Sequence, residues 1–325
     1  MANSPVPSLA EAPLTASVWP LDVPAQARSA DLDVSAHRVD RTDACRGGGR
    51  SRPVTRFAAV AAFALIAVGQ AGVSAARPSR KAAADSVKKP LIEPRTRLEF
   101  VYIRGGDFNF GCEPQDTHCF ADEKPARRVE VASFWAGRTD TTVAAYSACV
   151  QAGACRAPAA GGDCNWNVAG REKHPINCID WSQAKVFCEW IGMRLPTADE
   201  WEFAAKGGQS RIYAWGDEPV TAKRANYCDN QCHLAHVDWT WTDPNQDDGW
   251  AATSPVGSYP AGQSRHGLLD MAGNTSQWTS SDYDGKSKQA RGGGWDIYPR
   301  YLRASVRIPL RASDWFDNVS VRCVK

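Results

Sequence analysis

Residues 267–295 read GLLDMAGNTSQWTSSDYDGKSKQARGGGW. In the first half, Asp270, Gly273, Asn274 and Gln277 are interleaved with apolar residues and followed by Trp278. Oxygen donors at so short a spacing suit a hard cation, and glycine permits the tight path they need. In the second half, Gly292, Gly293 and Gly294 precede Trp295, a pattern expected where backbone passes close to a neighbour.

Around this stretch lies a chain of 325 residues with 13 Trp, 26 Gly and 20 Pro, a combination that predicts many loops pinned by large aromatics rather than long regular elements. The net charge of +2 gives no basis for a nucleic-acid partner. Its basic excess sits in the first 95 residues. Of the 11 cysteines, Cys45 stands alone near the start; the rest lie beyond residue 100, and their even number in a loop-rich sequence predicts a disulfide framework.

Residues 1–56 are rich in Ala, Ser, Pro and Asp without periodicity and are expected to be disordered. Arg46, Arg50, Arg52 and Arg56 then precede the apolar run 57–76, which ends in small residues. This is the pattern of a signal peptide or of an uncleaved signal anchor. Either would place the C-terminal part outside the membrane: periplasmic, secreted or membrane-anchored. Residues 77–97 read as a basic, proline-punctuated linker, and the folded domain is expected over 98–325.

Within that domain Phe100–Ile103 and the alternating Arg127–Phe134 read as strands. Helices are expected from Val143, from Trp181 and from Ala198, the last behind a capping box formed by Thr197 and Glu200. Glu200 and Glu202 fall on different helix faces, so they do not form a catalytic carboxylate pair. The segment YCDNQCHLAH reads as a zinc cluster of Cys228, Cys232, His233 and His236, or, in an exported chain, as a Cys228–Cys232 disulfide, which the export signal favours. Cys112 and Cys119 are further disulfide candidates. His118 and His174 read as surface residues.

The motifs RGGDFNFGC, DEKPARRVEV, PINCIDWSQAKVFCEWIGMRLPTADEWEFAAKGG, YAWGDE, GLLDMAGNTSQWTSS, RGGGW and VRCVK occur in that order. Together they resemble the formylglycine-generating enzyme (sulfatase-modifying factor) domain. The resemblance implies an α+β fold, loop-rich, stapled by disulfides and related to C-type-lectin-like domains. It implies a Cys188–Cys323 bridge. It also implies two structural calcium ions. Asn226 and Asp248 would hold the first with side-chain oxygens, helped by the carbonyls of Tyr227 and Trp250. Asp270, Gly273, Thr275 and Gln277 would hold the second, weakened because the family usually has Glu where Gln277 stands. The groove that binds substrate peptide in the family maps to Trp295, Tyr298, Arg300, Tyr301, Arg303 and Arg307; the same side chains could equally pack a loop-rich core.

The named reaction, oxidation of a cysteine to formylglycine in a CxPxR peptide, uses copper(I) held by two cysteines just after the tryptophan of RGGSW. Here the sequence is RGGGWDIYPRYLR, with Gly294 for the serine, about three residues missing before Arg303, and Ile297 and Leu302 near the thiolate positions. Copper(I) needs soft ligands, so copper is not expected. The resulting expectation is an exported binding or accessory module for a peptide, protein or small-molecule ligand. The alternative is an oxidoreductase of the same superfamily acting on an exported peptide or metabolite through a non-standard metal site.

Overall fold

Residues 88–325 are described by a computed structural model. The expected disordered region 1–56 and the signal or anchor run 57–76 lie outside the described residues. Three small sheets and four helices are joined by long loops, an α+β arrangement in which few elements exceed nine residues.

The first sheet contains β1 (Leu91–Ile92), β2 (Glu99–Ile103) and β5 (Phe134–Gly137), with β2 central and both pairings antiparallel. Leu91 and Ile92 fall within the expected linker; their pairing with Phe100 and Glu99 puts them in the fold instead. The second sheet pairs β3 (Gly106–Phe110) with β4 (Arg127–Val131). Arg127–Phe134 is therefore not one strand but two, in different sheets. Alternation fails at the exposed pair Ala132 and Ser133, where Ser133 Oγ accepts the Gly105 amide at 3.0 Å and the chain changes partner. The third sheet has the order β8 (Ile308–Arg311), β7 (Ser287–Arg291), β6 (Ser276–Asp282), β9 (Val319–Ser320), with β9 parallel to β6.

Helices α1 (Val143–Gln151), α2 (Trp181–Trp190) and α3 (Ala198–Lys206) begin at side-chain caps from Thr142, Asp180 and Thr197. At α3, Thr197 Oγ1 accepts the Glu200 amide at 3.1 Å and Glu200 returns a carboxylate oxygen to the Thr197 amide at 2.9 Å. The helix stops at Gly207, whose φ of 67° suits a residue without Cβ. Its inner face carries Trp201 and Phe203 into a core with Ile103, Phe108, Phe110 and Phe134, so α3 joins all three sheets. Truncating a fully buried aromatic such as Trp201 to Ala would cost about 3–5 kcal/mol.

All ten cysteines beyond residue 100 are paired: Cys112–Cys119, Cys149–Cys155, Cys164–Cys178, Cys188–Cys323 and Cys228–Cys232. The longest bridge ties α2 to the segment whose Val324 contacts both Ala136 and Arg194. Among the described residues no helix is long and apolar enough to cross a membrane.

Candidate ligand face and metal sites

The glycine turn explains itself sterically. A Cβ on Gly292, at φ 101°, would lie 3.0 Å from the Trp201 ring. A Cβ on Gly293 would lie 2.6 Å from Ile297 Cδ1 and 2.8 Å from Leu302 Cδ2. The two side chains near the expected thiolate positions are thus packed against the turn, with Leu302 fully buried. Neither has an atom that binds a metal.

Beyond the turn, Trp295 is buried, and its amide reaches Asn274 O at 3.0 Å, which ties the two halves of the 267–295 stretch together. An aromatic stack builds outward from it. His236 lies on Trp239 at 4.0 Å between centroids and 8° between planes, and Trp241 also stacks on Trp239, at 5.2 Å. Trp295 meets His236 at 5.7 Å and Trp239 at 6.1 Å. Trp241 Nε1 donates to Asp296 O at 3.0 Å, holding the outermost ring in place while 47% of that residue stays exposed. Leu234, Val237 and Tyr298 are also exposed apolar side chains on these loops. The stack rests on the helix α4 (Asn230–Ala235), capped by Asp229 and bridged at its start by Cys228–Cys232. The zinc-cluster reading of this segment is overturned by that bridge: both sulfurs are bonded to each other, and His236 is occupied by stacking.

The six groove candidates separate. Trp295 belongs to the stack and Tyr298 is exposed on the loop after it. Tyr301 stacks on Phe120 at 5.4 Å, and Arg300 lies over the same ring at 4.7 Å. Arg307 lies 4.7 Å from the Phe110 ring. Arg303 is not a free anchor: it is buried and bonded to Asp116 at 2.8 Å and Glu123 at 2.7 Å. Asp116, Cys119 and Glu123 come within 4.8 Å of one another, a grouping that could hold a metal ion, but Arg303 already bonds both carboxylates and Cys119 is disulfide-bonded.

The sequence reading missed a second buried ionic nest. Glu202, fully buried on α3, meets Lys206 at 2.8 Å and Arg291, and Lys206 also meets Glu113 at 2.7 Å. The signal was present as Glu202 and Lys206 one helical turn apart, though that pattern usually marks a solvated face. The Trp239 and Trp241 stack was missed too. His174 is buried rather than superficial: its Nδ1 meets Thr253 Oγ1 at 3.0 Å, Trp250 packs edge-on at 5.3 Å, and burial, with the nearby Arg171 charge, depresses its pKa to about 4.

In the first expected calcium-ligand set, the amides of Tyr227 and Trp250 both bond Asp248. Asn226 is buried; its amide nitrogen donates to Ala252 O at 2.9 Å, while its Oδ1 receives no hydrogen bond among the described residues. The two amides reach the Asp248 carboxylate at 3.2 Å from Tyr227 and 2.9 Å from Trp250. Burial, and then the negative charge of Asp229, raise the Asp248 pKa to about 8. An orphaned oxygen on Asn226, next in the chain to the amide that Asp248 accepts, and a carboxylate short of positive charge fit a hard cation. Asn226, Asp248 and the carbonyls of Tyr227 and Trp250 would hold it, and it would supply the missing charge. The second set differs. The side chain of Gln277 is bonded to Trp201, Arg322 and Asp270, and the Asp270 carboxylate accepts the Gly257 amide at 2.7 Å.

The model of the sulfatase-modifying factor enzyme 1-like domain matches residues 88–325. The chain belongs to that family. Its relatives include a formylglycine-generating enzyme of Streptomyces coelicolor, 28% identical over 313 residues that cover 77% of this chain and 96% of the relative. An inactive C-alpha-formylglycine-generating enzyme 2 of Bos taurus is 34% identical over 167 residues, 47% of this chain and 51% of the bovine protein. The chain thus matches about half the length of that relative. The solved structure of PvdO from Pseudomonas aeruginosa shares the fold at a TM-score of 0.61 and 21% identity, covering 74% of this chain and 99% of that one. Within this sulfatase-modifying-factor-like domain, therefore, the scaffold is that of the family, while the loop 295–302 ends in apolar packing and an aromatic stack.

Proposed function

We propose that this family member is an exported binding or accessory module, recognising a peptide, protein or small-molecule ligand on the face presented by the exposed Trp241 and Tyr298, next to buried Trp295. One observation carries the reading: Ile297 and Leu302 are packed into the glycine turn, and every cysteine among the described residues is in a disulfide. No thiolate pair is left at that loop for copper(I), which demands soft ligands. What the loop presents instead is rigid aromatic surface, the side-chain type that anchors ligands at low entropic cost. Export is supported by five disulfides, which persist in oxidising compartments, and by the signal-like run 57–76. Calcium at Asn226 and Asp248 would be structural, bracing the loop from which α4 springs.

The test uses the purified protein and a synthetic peptide containing CxPxR. Tryptophan fluorescence should change on peptide addition, without oxygen uptake, and the change should disappear in Trp241→Ala. Bound copper or iron together with peptide-dependent oxygen uptake would instead establish the oxidoreductase reading.

A further inference from the structure

The cluster around Asp270 was expected to hold a second calcium ion, and its hydrogen bonds argue otherwise. Gln277 Oε1 accepts from Trp201 Nε1 at 2.7 Å and from Arg322 Nε at 2.9 Å. Both are groups that only donate. The atom facing them must therefore be the carboxamide oxygen, so the network fixes the orientation of the amide. It follows that the other terminal atom is the NH2 group. That group donates to Asp270 O at 2.7 Å. A glutamate here would direct a second oxygen at the same carbonyl, and two acceptors in contact need a cation between them. Glutamine replaces that oxygen with a donor and satisfies the carbonyl directly. A donor cannot ligate calcium.

The carbonyl of Asp270 and its surroundings also face an internal cation. Arg322 is buried, and its guanidinium gives Nη1 to Gly137 O at 2.7 Å. Its Nη2 reaches Leu269 O at 2.7 Å, Asp270 O at 3.2 Å and Asp140 Oδ1 at 3.4 Å. Asp140 in turn accepts from Thr275 Oγ1 at 2.9 Å. With Gln277, the cluster holds two carboxylates, Asp140 and Asp270, against one guanidinium. A glutamate in place of Gln277 would make it three against one, the excess that a divalent ion balances.

We infer that the Asp270–Gln277 cluster is closed to calcium, that Arg322 stands there as a built-in cation, and that of the two expected sets among the described residues only Asn226–Asp248 is open to calcium. The count of calcium ions decides it, measured by equilibrium dialysis on the full-length protein and on Asp248→Asn, Asp270→Asn and Gln277→Glu. The native protein should bind one equivalent, lost in Asp248→Asn and unchanged in Asp270→Asn. Gln277→Glu should bind one equivalent more than the native protein. A native equivalent that Asp270→Asn removes overturns the inference, as does a folded Gln277→Glu protein with no gain. Should Gln277→Glu not fold, the two Asp variants decide alone. A native count of zero with a gain in Gln277→Glu would refute the Asn226–Asp248 reading and leave the closure of the second cluster standing.

Discussion

Two regions of this domain meet along the glycine turn and are held by different physics. On one side, α3 and β7 bury Glu202 between Lys206 and Arg291, next to the Arg303 nest of Asp116 and Glu123. On the other, the α4 loop is held by one short-range disulfide and by rings stacked face to face, and it leaves Trp241, Leu234 and Val237 in solvent. The first region is locked by charges that lose hydration if they part. The second exposes apolar surface that a folded domain has no reason to leave bare. The difference separates scaffold from the proposed binding surface, and perturbing each side checks the division.

The largest effect should come from the bridge Cys188–Cys323, which closes 135 residues, against four for Cys228–Cys232. In the chain-entropy model, removing the first by paired Cys→Ser changes costs about 5 kcal/mol and removing the second about 2 kcal/mol. Denaturant unfolding that found the two losses equal would break the contrast between the regions. Next, Glu202→Gln leaves buried Lys206 and Arg291 short of negative charge and should destabilise by about 3–5 kcal/mol, read from the same unfolding curves.

A pH effect follows from His174. Its folded pKa of about 4 lies below the unfolded value, so the folded state prefers the neutral ring. The stability this confers is complete above roughly pH 6.5 and is lost as the pH falls toward 4, by up to about 3 kcal/mol. In His174→Gln, melting temperatures followed over that window should fall less steeply than in the native protein. The smallest effect on stability is expected for Trp241→Ala, at about 1 kcal/mol, because the stacking on Trp239 and the hydrogen bond to Asp296 O are lost at a half-exposed position. A larger loss in unfolding experiments would make Trp241 part of the scaffold and remove the basis for the ligand face.

Much of the scaffold was legible in residue order. Helix starts are local events: Thr142, Asp180 and Thr197 bond amides three residues on, so each cap can be read without tertiary knowledge. The division of Arg127–Phe134 between two sheets was not legible, because which partner a strand pairs with depends on residues such as Gly105 that lie far off in sequence. Of the site, the sequence grouped Asn226 with Asp248, and the Tyr227 amide, next to Asn226 in the chain, does bond the Asp248 carboxylate. The stack of His236, Trp239, Trp241 and Trp295 was not foreseen, since ring faces meet only when the α4 loop folds back over the turn. Arg303 looked like a groove anchor, and Glu202 was read only as lying on a different helix face from Glu200; burial against distant partners gave both their roles.

The sequence by itself determined the family, the loop-rich α+β class, and the absence of cysteine between Trp295 and Arg303, because these depend on residue identity and order. Only the tertiary structure decided which oxygens lack a donor. Asn226 Oδ1 and Gln277 Oε1 are the same chemical group in the chain, yet the first is left bare and the second is filled by Trp201 and Arg322. Hydrogen bonding is a property of neighbours in space, and these neighbours come from residues 201 and 322, far apart in the chain.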